Sequence, residues 1–351
     1  MPQEHALDRR HAPAEGPIAP ARAVTSFDVA AAAGVSQSTV SRALREVDGV
    51  SRETIERVRA AAERLGYLPD HRAANLRTAV TGCVALVVLV PEGATRGALN
   101  PFYYDLVGAV ESAAARRGLR VMLSFQQTES GLRCDFEQRR EADGAIVIGS
   151  AAADPAWRFF AAAAAAGRRV IAWGAPDNRL PVVRADNEGG ARLAVEHLVA
   201  GGRRRIAFVG PGWERQHAYA ERRAGFLAAL GAHRRIGIDV PVPGGADRED
   251  QGAAAVAWIQ AHAPDVDGVF AASDLIAIGI VRALERAGRR VPHDVAVIGF
   301  DGIQSARHAS PRLTTIEQDV TAAGERMVDA LLGAGGAVPR VPVRLVVRES
   351  A

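Results

Sequence analysis

From Cys83 onward, continuous apolar runs recur with helical stretches between them. The runs are CVALVVLV (83–90), RVMLSF (120–125), GAIVIG (144–149), RVIAW (169–173), RIAFVG (205–210), GVFAAS (268–273) and VAVIGF (295–300). Helical patterns separate them, among them Tyr103–Arg117, Asn187–Ala200, Arg215–Leu230 and Asp274–Ala287. A strand that is apolar at every position must be covered on both faces, and helices alternating with strands supply that cover. The pattern therefore predicts an α/β domain built on parallel sheets. Roughly ten strands are many for one open sheet. Two similar lobes with a cleft between them are the natural division, and ligands of such sheets bind at the carboxyl ends of the strands.

The chain before Thr81 has a different character. Residues 1–24 are poor in apolar side chains and hold Pro2, Pro13, Pro17 and Pro20, the composition of a disordered tail. Ser26 can cap a helix carrying Val29, Ala30 and Ala33. Gly34-Val35 forms a turn, and Ser36 can cap a second helix carrying Val40, Ala43 and Leu44. Ser51 opens a third, with Ile55, Val58, Ala62 and Leu65 at helical spacing and Gly66 at its end. Pro69-Asp70 then allows one short helix at about His71–Arg77. The expected division is a tail at 1–24, a helical headpiece at 25–69, a short helix and linker at 70–80, and the two-lobed domain at 81–351.

Two short helices joined through Gly34 fit a helix-turn-helix, whose second helix enters the major groove. Gln37 and Ser38 would then face base edges, and Arg42, one turn on, would reach a base or a phosphate. A tight αα-hairpin without DNA contact is the alternative. Charge alone does not decide, because the net charge is only +3 and every residue counted under Lys+Arg is arginine, a bias that codon composition explains. Between Thr25 and Val80, eight arginines face seven acids, so contacts to DNA must rest on few arginines and on helix N-termini.

Several classes are excluded. The longest apolar runs fall far short of the ~20 residues that span a bilayer, and no secretory h-region opens the chain. A cytoplasmic protein with no membrane partner is expected, with Cys83 and Cys134 as thiols. No P-loop, G-x-G-x-x-G, G-x-S-x-G or H-x-x-x-H pattern occurs, so neither an enzyme nor a bound cofactor or metal is expected.

The string T25-S-F-D-V-A-A-A-A-G-V-S-Q-S-T-V-S-R42, followed by S51-R-E-T-I-E-R-V-R-A-A-A-E-R-L-G-Y-L-P69, resembles the lactose-repressor (LacI/GalR) family of transcriptional regulators. The resemblance continues through N100-P-F-Y-Y104, D143-G144, E196-H197-L198, A224-G225-F226, S273-D274, V297-I-G-F-D301, L313-T-T-I316 and V346-V-R-E-S350. It implies a headpiece joined to a sensor domain like periplasmic sugar-binding proteins, and a homodimer on a palindromic double-stranded operator. By position, Gln37, Ser38 and Arg42 match base-reading residues, while Thr25, Ser36, Thr39 and Ser41 lie near phosphates. Asp70–Arg77 matches the hinge helix that enters the minor groove, with Asn75, Leu76 and Arg77 at the DNA and Leu76 as the wedge that kinks the central step. Asp70 stands where the family commonly has Asn. Because the chain ends soon after its last strand, dimers are expected, not tetramers assembled by an added coiled coil.

The same resemblance implies an effector cleft. Asn100, Phe102 and Tyr103 match a loop whose aromatic faces stack on ligand, and Arg222 matches an arginine that donates a forked pair of bonds. Asp301 matches a carboxylate that accepts from ligand hydroxyls. Asp274 either does the same or caps its loop, and Trp213 either lines the cleft or packs at the surface. Ser273 stands where an Asn usually contacts hydroxyls, and Trp173-Gly174-Ala175 replaces a stretch that often supplies an Asp-Arg pair. A sugar or sugar derivative is the expected effector. A corepressor-dependent, purine-type regulator and a free cytoplasmic ligand-binding protein are the rival readings.

Overall fold

A computed structural model of the chain describes residues 24–44, 49–67, 80–91, 99–127, 131–149, 154–176, 179–210, 212, 217–235, 237–242, 247–333 and 339–351. The expected disordered tail, the hinge helix with Asn75, Leu76 and Arg77, and Trp213 lie outside the described residues. The chain divides into two compact units, Met1–Arg77 and Thr78–Ala351.

The first unit contains α1 (Ser26–Ala33), α2 (Gln37–Leu44) and α3 (Arg52–Leu65). Thr25 caps α1 in a reciprocal box. Its hydroxyl accepts from the Asp28 N–H at 3.4 Å, and Asp28 Oδ2 accepts from the Thr25 N–H at 2.8 Å. The α1 cap is thus Thr25, one residue earlier than Ser26. Gly34 ends α1 at φ 65°, a left-handed conformation that suits glycine. Ser36 accepts from the Thr39 N–H at 3.2 Å to open α2, and Ser51 does the same for α3 through Thr54. Val29, Val40 and Val58, one from each helix, are fully buried against one another and close the small core.

The second unit holds two sheets. The first has order β2-β1-β3-β4-β5, from Arg120–Gln127, Cys83–Val90, Ala145–Gly149, Val170–Trp173 and Val182–Val183, and it is wholly parallel. Every residue of β1 is buried, as its unbroken apolar run requires. The second sheet has order β11-β10-β9-β8-β6-β7, from Val343–Val346, Thr314–Gln318, Ala296–Asp301, Gly268–Ala271, Ile206–Val209 and Gly237–Asp239. Here β11 pairs antiparallel with β10, a departure from the all-parallel expectation.

Helices cover both sheets: α4 (Phe102–Arg116), α5 (Asp154–Ala165), α6 (Asn187–Ala200), α7 (His217–Ala232), α8 (Arg248–His262), α9 (Asp274–Arg286), α10 (Gln304–His308) and α11 (Val320–Leu331). After β10 the chain returns to the first lobe, where α11 packs on α4. The approach is close enough that a Cβ at Gly324 would lie 2.5 Å from the Ala109 carbonyl carbon. It then crosses back to supply β11. A bridge between Ala185 and Val341 ties two of these crossings together. The lobes are therefore joined by several strands of chain, and the carboxyl ends of β3, β4 and β9 face one cleft.

Candidate ligand cleft and nucleic-acid interface

A cavity of about 540 Å³, counted with its open mouth, lies between the lobes. Asn100, Phe102 and Tyr103 line it from the start of α4, with Gly149 and Trp173 from the ends of β3 and β4. The second lobe contributes His217, Tyr219 and Arg222 from α7, Arg248 from α8, Asp301 from β9 and Gln318 from β10.

The aromatic wall is held rigidly. Tyr103 donates its hydroxyl to the Gly149 carbonyl at 2.8 Å, and burial pushes its phenol pKa up, so the ring is a neutral face. Phe102 sits edge-on to Tyr103 at 6.1 Å and tilted against Trp173 at 5.9 Å. Rings so braced present flat apolar surfaces at little entropic cost.

Asp301 is the hub of the polar side. Its Oδ1 accepts from Gln318 Nε2 at 2.9 Å and from Arg222 Nη1 at 3.3 Å, and its Oδ2 accepts from Asn100 Nδ2 at 2.8 Å. Its backbone sits at φ 118°, left-handed territory that costs a non-glycine residue about 1–3 kcal/mol. Burial pushes its carboxyl up from the ordinary value, opposed by Arg222, Asn100, Arg248 and Gln318.

Arg222 is 4% exposed and lies with its guanidinium 3.5 Å over the Phe300 ring. Its Nε donates to Asn187 Oδ1 at 2.9 Å, and its Nη1 donates to the Ala272 carbonyl as well as to Asp301. The fork expected to grip ligand is thus largely spent on protein, and α6 and α7 pack closely beside it. A Cβ at Gly225 would lie 2.5 Å from the Glu188 carbonyl oxygen. Asn187 in turn donates to Glu221 Oε2 at 2.7 Å, and Arg340 donates to Glu221 Oε1 at 2.6 Å.

Asn100, Phe102, Tyr103, Arg222 and Asp301, singled out from the sequence, therefore line one cleft. Ser273 and Asp274 do not. Both are completely buried, and Asp274 turns away from the cleft to accept from the Ile303 N–H at 2.9 Å and the Thr315 hydroxyl at 2.5 Å. It joins α9 to the loop after β9 and to β10, which corrects the ligand-contact alternative in favour of a loop-holding carboxyl. Burial, with the nearby Asp301 charge, pushes its pKa up to about 8.

No sequence motif points to a ligand contact at His217, Tyr219, Arg248 or Gln318, and Trp173, a departure from the family pattern, is a lining residue. Trp173 ends a strand, a position the strand-end rule already singles out. Nothing local marks Arg248, whose place depends on how α8 packs on α9.

In the first unit, α2 buries Val40 and Ala43 and leaves Gln37, Ser38 and Arg42 exposed. Thr25 and Ser36 are also exposed, with Thr39 and Ser41 half-buried. Gln37 donates to the Ser26 hydroxyl at 3.2 Å, which ties the start of α2 to the first turn of α1. A capped second helix with a polar, exposed N-terminal turn is the geometry that enters a major groove.

Comparison with known proteins agrees with both units. Residues 27–70 match the model of bacterial regulatory proteins of the lacI family, and residues 195–351 match a periplasmic binding protein-like domain. The HTH-type transcriptional regulator CelR of Thermobifida fusca is 36% identical over 91% of this chain and 94% of its own. The ribose operon repressor of Halalkalibacterium halodurans is 31% identical over 93% of this chain and 96% of its own. Among solved structures, a CelR–cellobiose complex aligns with a TM-score of 0.62 at 32% identity, over 93% of this chain and 100% of that one. A Lac repressor dimer bound to operator and the anti-inducer ONPF aligns with a TM-score of 0.73 at 27% identity, over 94% and 99%.

A helix-turn-helix headpiece on a two-lobed ligand-binding domain defines a DNA-binding transcriptional regulator controlled by a small molecule. The chain belongs to the lacI family of bacterial regulatory proteins. Among the described residues, no helix is long and apolar enough to cross a membrane.

Proposed function

We propose that the protein is a cytoplasmic repressor, not an enzyme, that binds a palindromic operator as a homodimer and releases it when a sugar or sugar derivative enters the cleft. Asn100, Phe102, Tyr103, Arg222 and Asp301 hold the effector, with Trp173 as a second stacking face. Gln37, Ser38 and Arg42 read bases, and Thr25, Ser36, Thr39 and Ser41 stand near phosphates. Residues 70–80, with Asn75, Leu76 and Arg77, form the hinge between a headpiece at 25–69 and a sensor at 81–351. Trp213 is a further candidate for effector contact.

The observation that carries this reading is the lining of the cleft. Flat aromatic faces from one lobe oppose a hydrogen-bonding cluster around Asp301 from the other. A pyranose has that double character, apolar on its faces and hydroxylated at its edge. A ligand touching both walls favours one lobe arrangement, and that bias can be passed to operator binding. The relation to CelR and to ribose operon repressors supports the ligand class.

Selection of bound duplexes from a random pool, followed by calorimetry with a sugar panel, tests both halves. The expected outcome is an inverted repeat with a pyrimidine–purine step at its centre, and a sugar that binds and lowers operator affinity. Recovery of single half-sites only would defeat the dimeric reading, and a sugar that tightens operator binding would make the ligand a corepressor.

A further inference from the structure

The charges lining the cleft do not balance. Two guanidinium groups, Arg222 and Arg248, face it, and Asp301 is the single carboxylate among the described lining residues. That carboxylate already pairs with Arg222 and accepts from Asn100 and Gln318, which leaves one acceptor site on its Oδ2 for a ligand hydroxyl. Glu221, one turn from His217, is also occupied: it receives Arg340 at 2.6 Å and Asn187 at 2.7 Å, and His217 Nε2 lies 3.1 Å from its Oε1.

Arg248 has no carboxylate partner among the described residues. Its Nη1 donates to the Tyr219 hydroxyl, and its guanidinium carbon lies 5.4 Å from the Tyr219 ring centre. Among the described residues it forms no ion pair, and the edge made by Nε and Nη2 has no acceptor. The neighbouring acids are committed elsewhere. Asp247 caps α8 through the Glu249 N–H at 2.8 Å, and Glu249 pairs with Arg282. The position of Arg248 is nevertheless firmly set. Gly252 and Gly279 let α8 and α9 pack backbone to backbone, and a Cβ at either would collide with the facing helix.

Asp301 and Asp247 favour the Arg248 charge from a distance, but no described carboxylate reaches it as an ion pair, so its guanidinium is open to direct pairing with an incoming anion. The Nε–Nη2 edge of a guanidinium matches the two oxygens of a carboxylate or of a phosphate in geometry as well as charge.

We infer that Arg248 is a specificity-determining residue that receives an anionic group on the sugar, so that the effector is an acidic saccharide and not a neutral one. This rests on the reading of the cleft as a saccharide site and narrows it. Asn100, Asp301 and the aromatic wall take the hydroxyls and ring faces, and Arg248 takes the charge. The ligand-gripping fork expected at Arg222 is supplied by Arg248.

The test is calorimetry on the full-length protein with matched probes: glucose, glucuronate and glucose 6-phosphate, and cellobiose with cellobionate. At least one acid should bind ten-fold or more tightly than its neutral counterpart. The acid that does so separates a carboxylate from a phosphate as the favoured anion. Arg248→Gln should remove most of that ratio, and Arg248→Lys should keep part of it, since charge survives but the fork does not. The ratio of two affinities in one preparation is insensitive to a fraction of misfolded protein. Neutral sugars that bind as well as the acids would overturn the inference, as would an acid preference that persists undiminished in Arg248→Gln. If no probe binds, the saccharide reading itself fails, and the narrower inference with it.

Discussion

Asn100 Nδ2 donates to Asp301 Oδ2 at 2.8 Å, joining residues 201 positions apart across the cleft, one from each lobe. The same Asn100 accepts the Phe102 N–H at 3.1 Å, so the contact also sets the start of α4 and the aromatic wall. A single amide thus couples the polar and apolar halves of the site.

Asn100→Ala should weaken effector binding about ten-fold, the cost of one hydrogen bond to a charged acceptor together with a less ordered loop. Calorimetry on the variant checks this. Unchanged affinity would mean that ligand does not engage this corner of the cleft.

Asp274 predicts a pH dependence. Its carboxyl is pushed from 3.8 to about 8 by burial, so between these values the folded state keeps a proton that the unfolded chain has released. Stability from this group is therefore full below about pH 4 and falls as pH rises toward 8, by up to ~1.4 kcal/mol per pH unit. Asp274→Asn should flatten that slope by about one proton in urea titrations at pH 5, 6 and 7. Parallel slopes in variant and parent would show that Asp274 is ionised in the fold.

Much of the architecture was legible because buried parallel strands leave unbroken apolar runs. Cys83–Val90 was read to the residue, and Asn187–Ala200 was read correctly as a helix. The strand Thr314–Gln318 was missed because its sequence, TTIEQ, looks polar. Its threonines are nonetheless buried, with the Thr315 hydroxyl bonded to Asp274 and the Thr314 N–H bonded to the Ser350 hydroxyl at 2.8 Å. Strands of two or three residues, Val182–Val183 and Gly237–Asp239, carry no periodicity to detect. In the site, Asn100, Phe102, Tyr103, Arg222 and Asp301 are legible through the motifs that contain them, whereas His217, Tyr219, Arg248 and Gln318 carry no motif of their own. Asp274 and Asp301 both follow apolar runs, and only tertiary packing turns one away from the cleft and the other into it.

Helix packing near the site tolerates no added volume. Gly225→Ala should destabilise the second unit by about 1–3 kcal/mol, since α6 and α7 must separate around the new methyl group. The same shift moves Arg222 from Asn187, so effector affinity should fall together with the melting temperature. A variant with parental stability would contradict the close approach.

In the headpiece, Gln37→Ala and Arg42→Ala should change base preference within each half-site, because both side chains are exposed on the recognition helix. Ser36→Ala, which removes the bond to the Thr39 N–H, should instead cost about 1 kcal/mol of headpiece stability. Sequencing of selected duplexes and thermal melts of the variants separate the two effects. An unaltered base preference in both Gln37→Ala and Arg42→Ala would remove them from the reading surface.

The central claim is that occupancy of the cleft controls the hold on DNA. Fluorescence anisotropy with a labelled operator, titrated with and without saturating effector, measures it directly. The account predicts at least a ten-fold loss of operator affinity when effector is present. The same operator affinity with and without bound effector would contradict it.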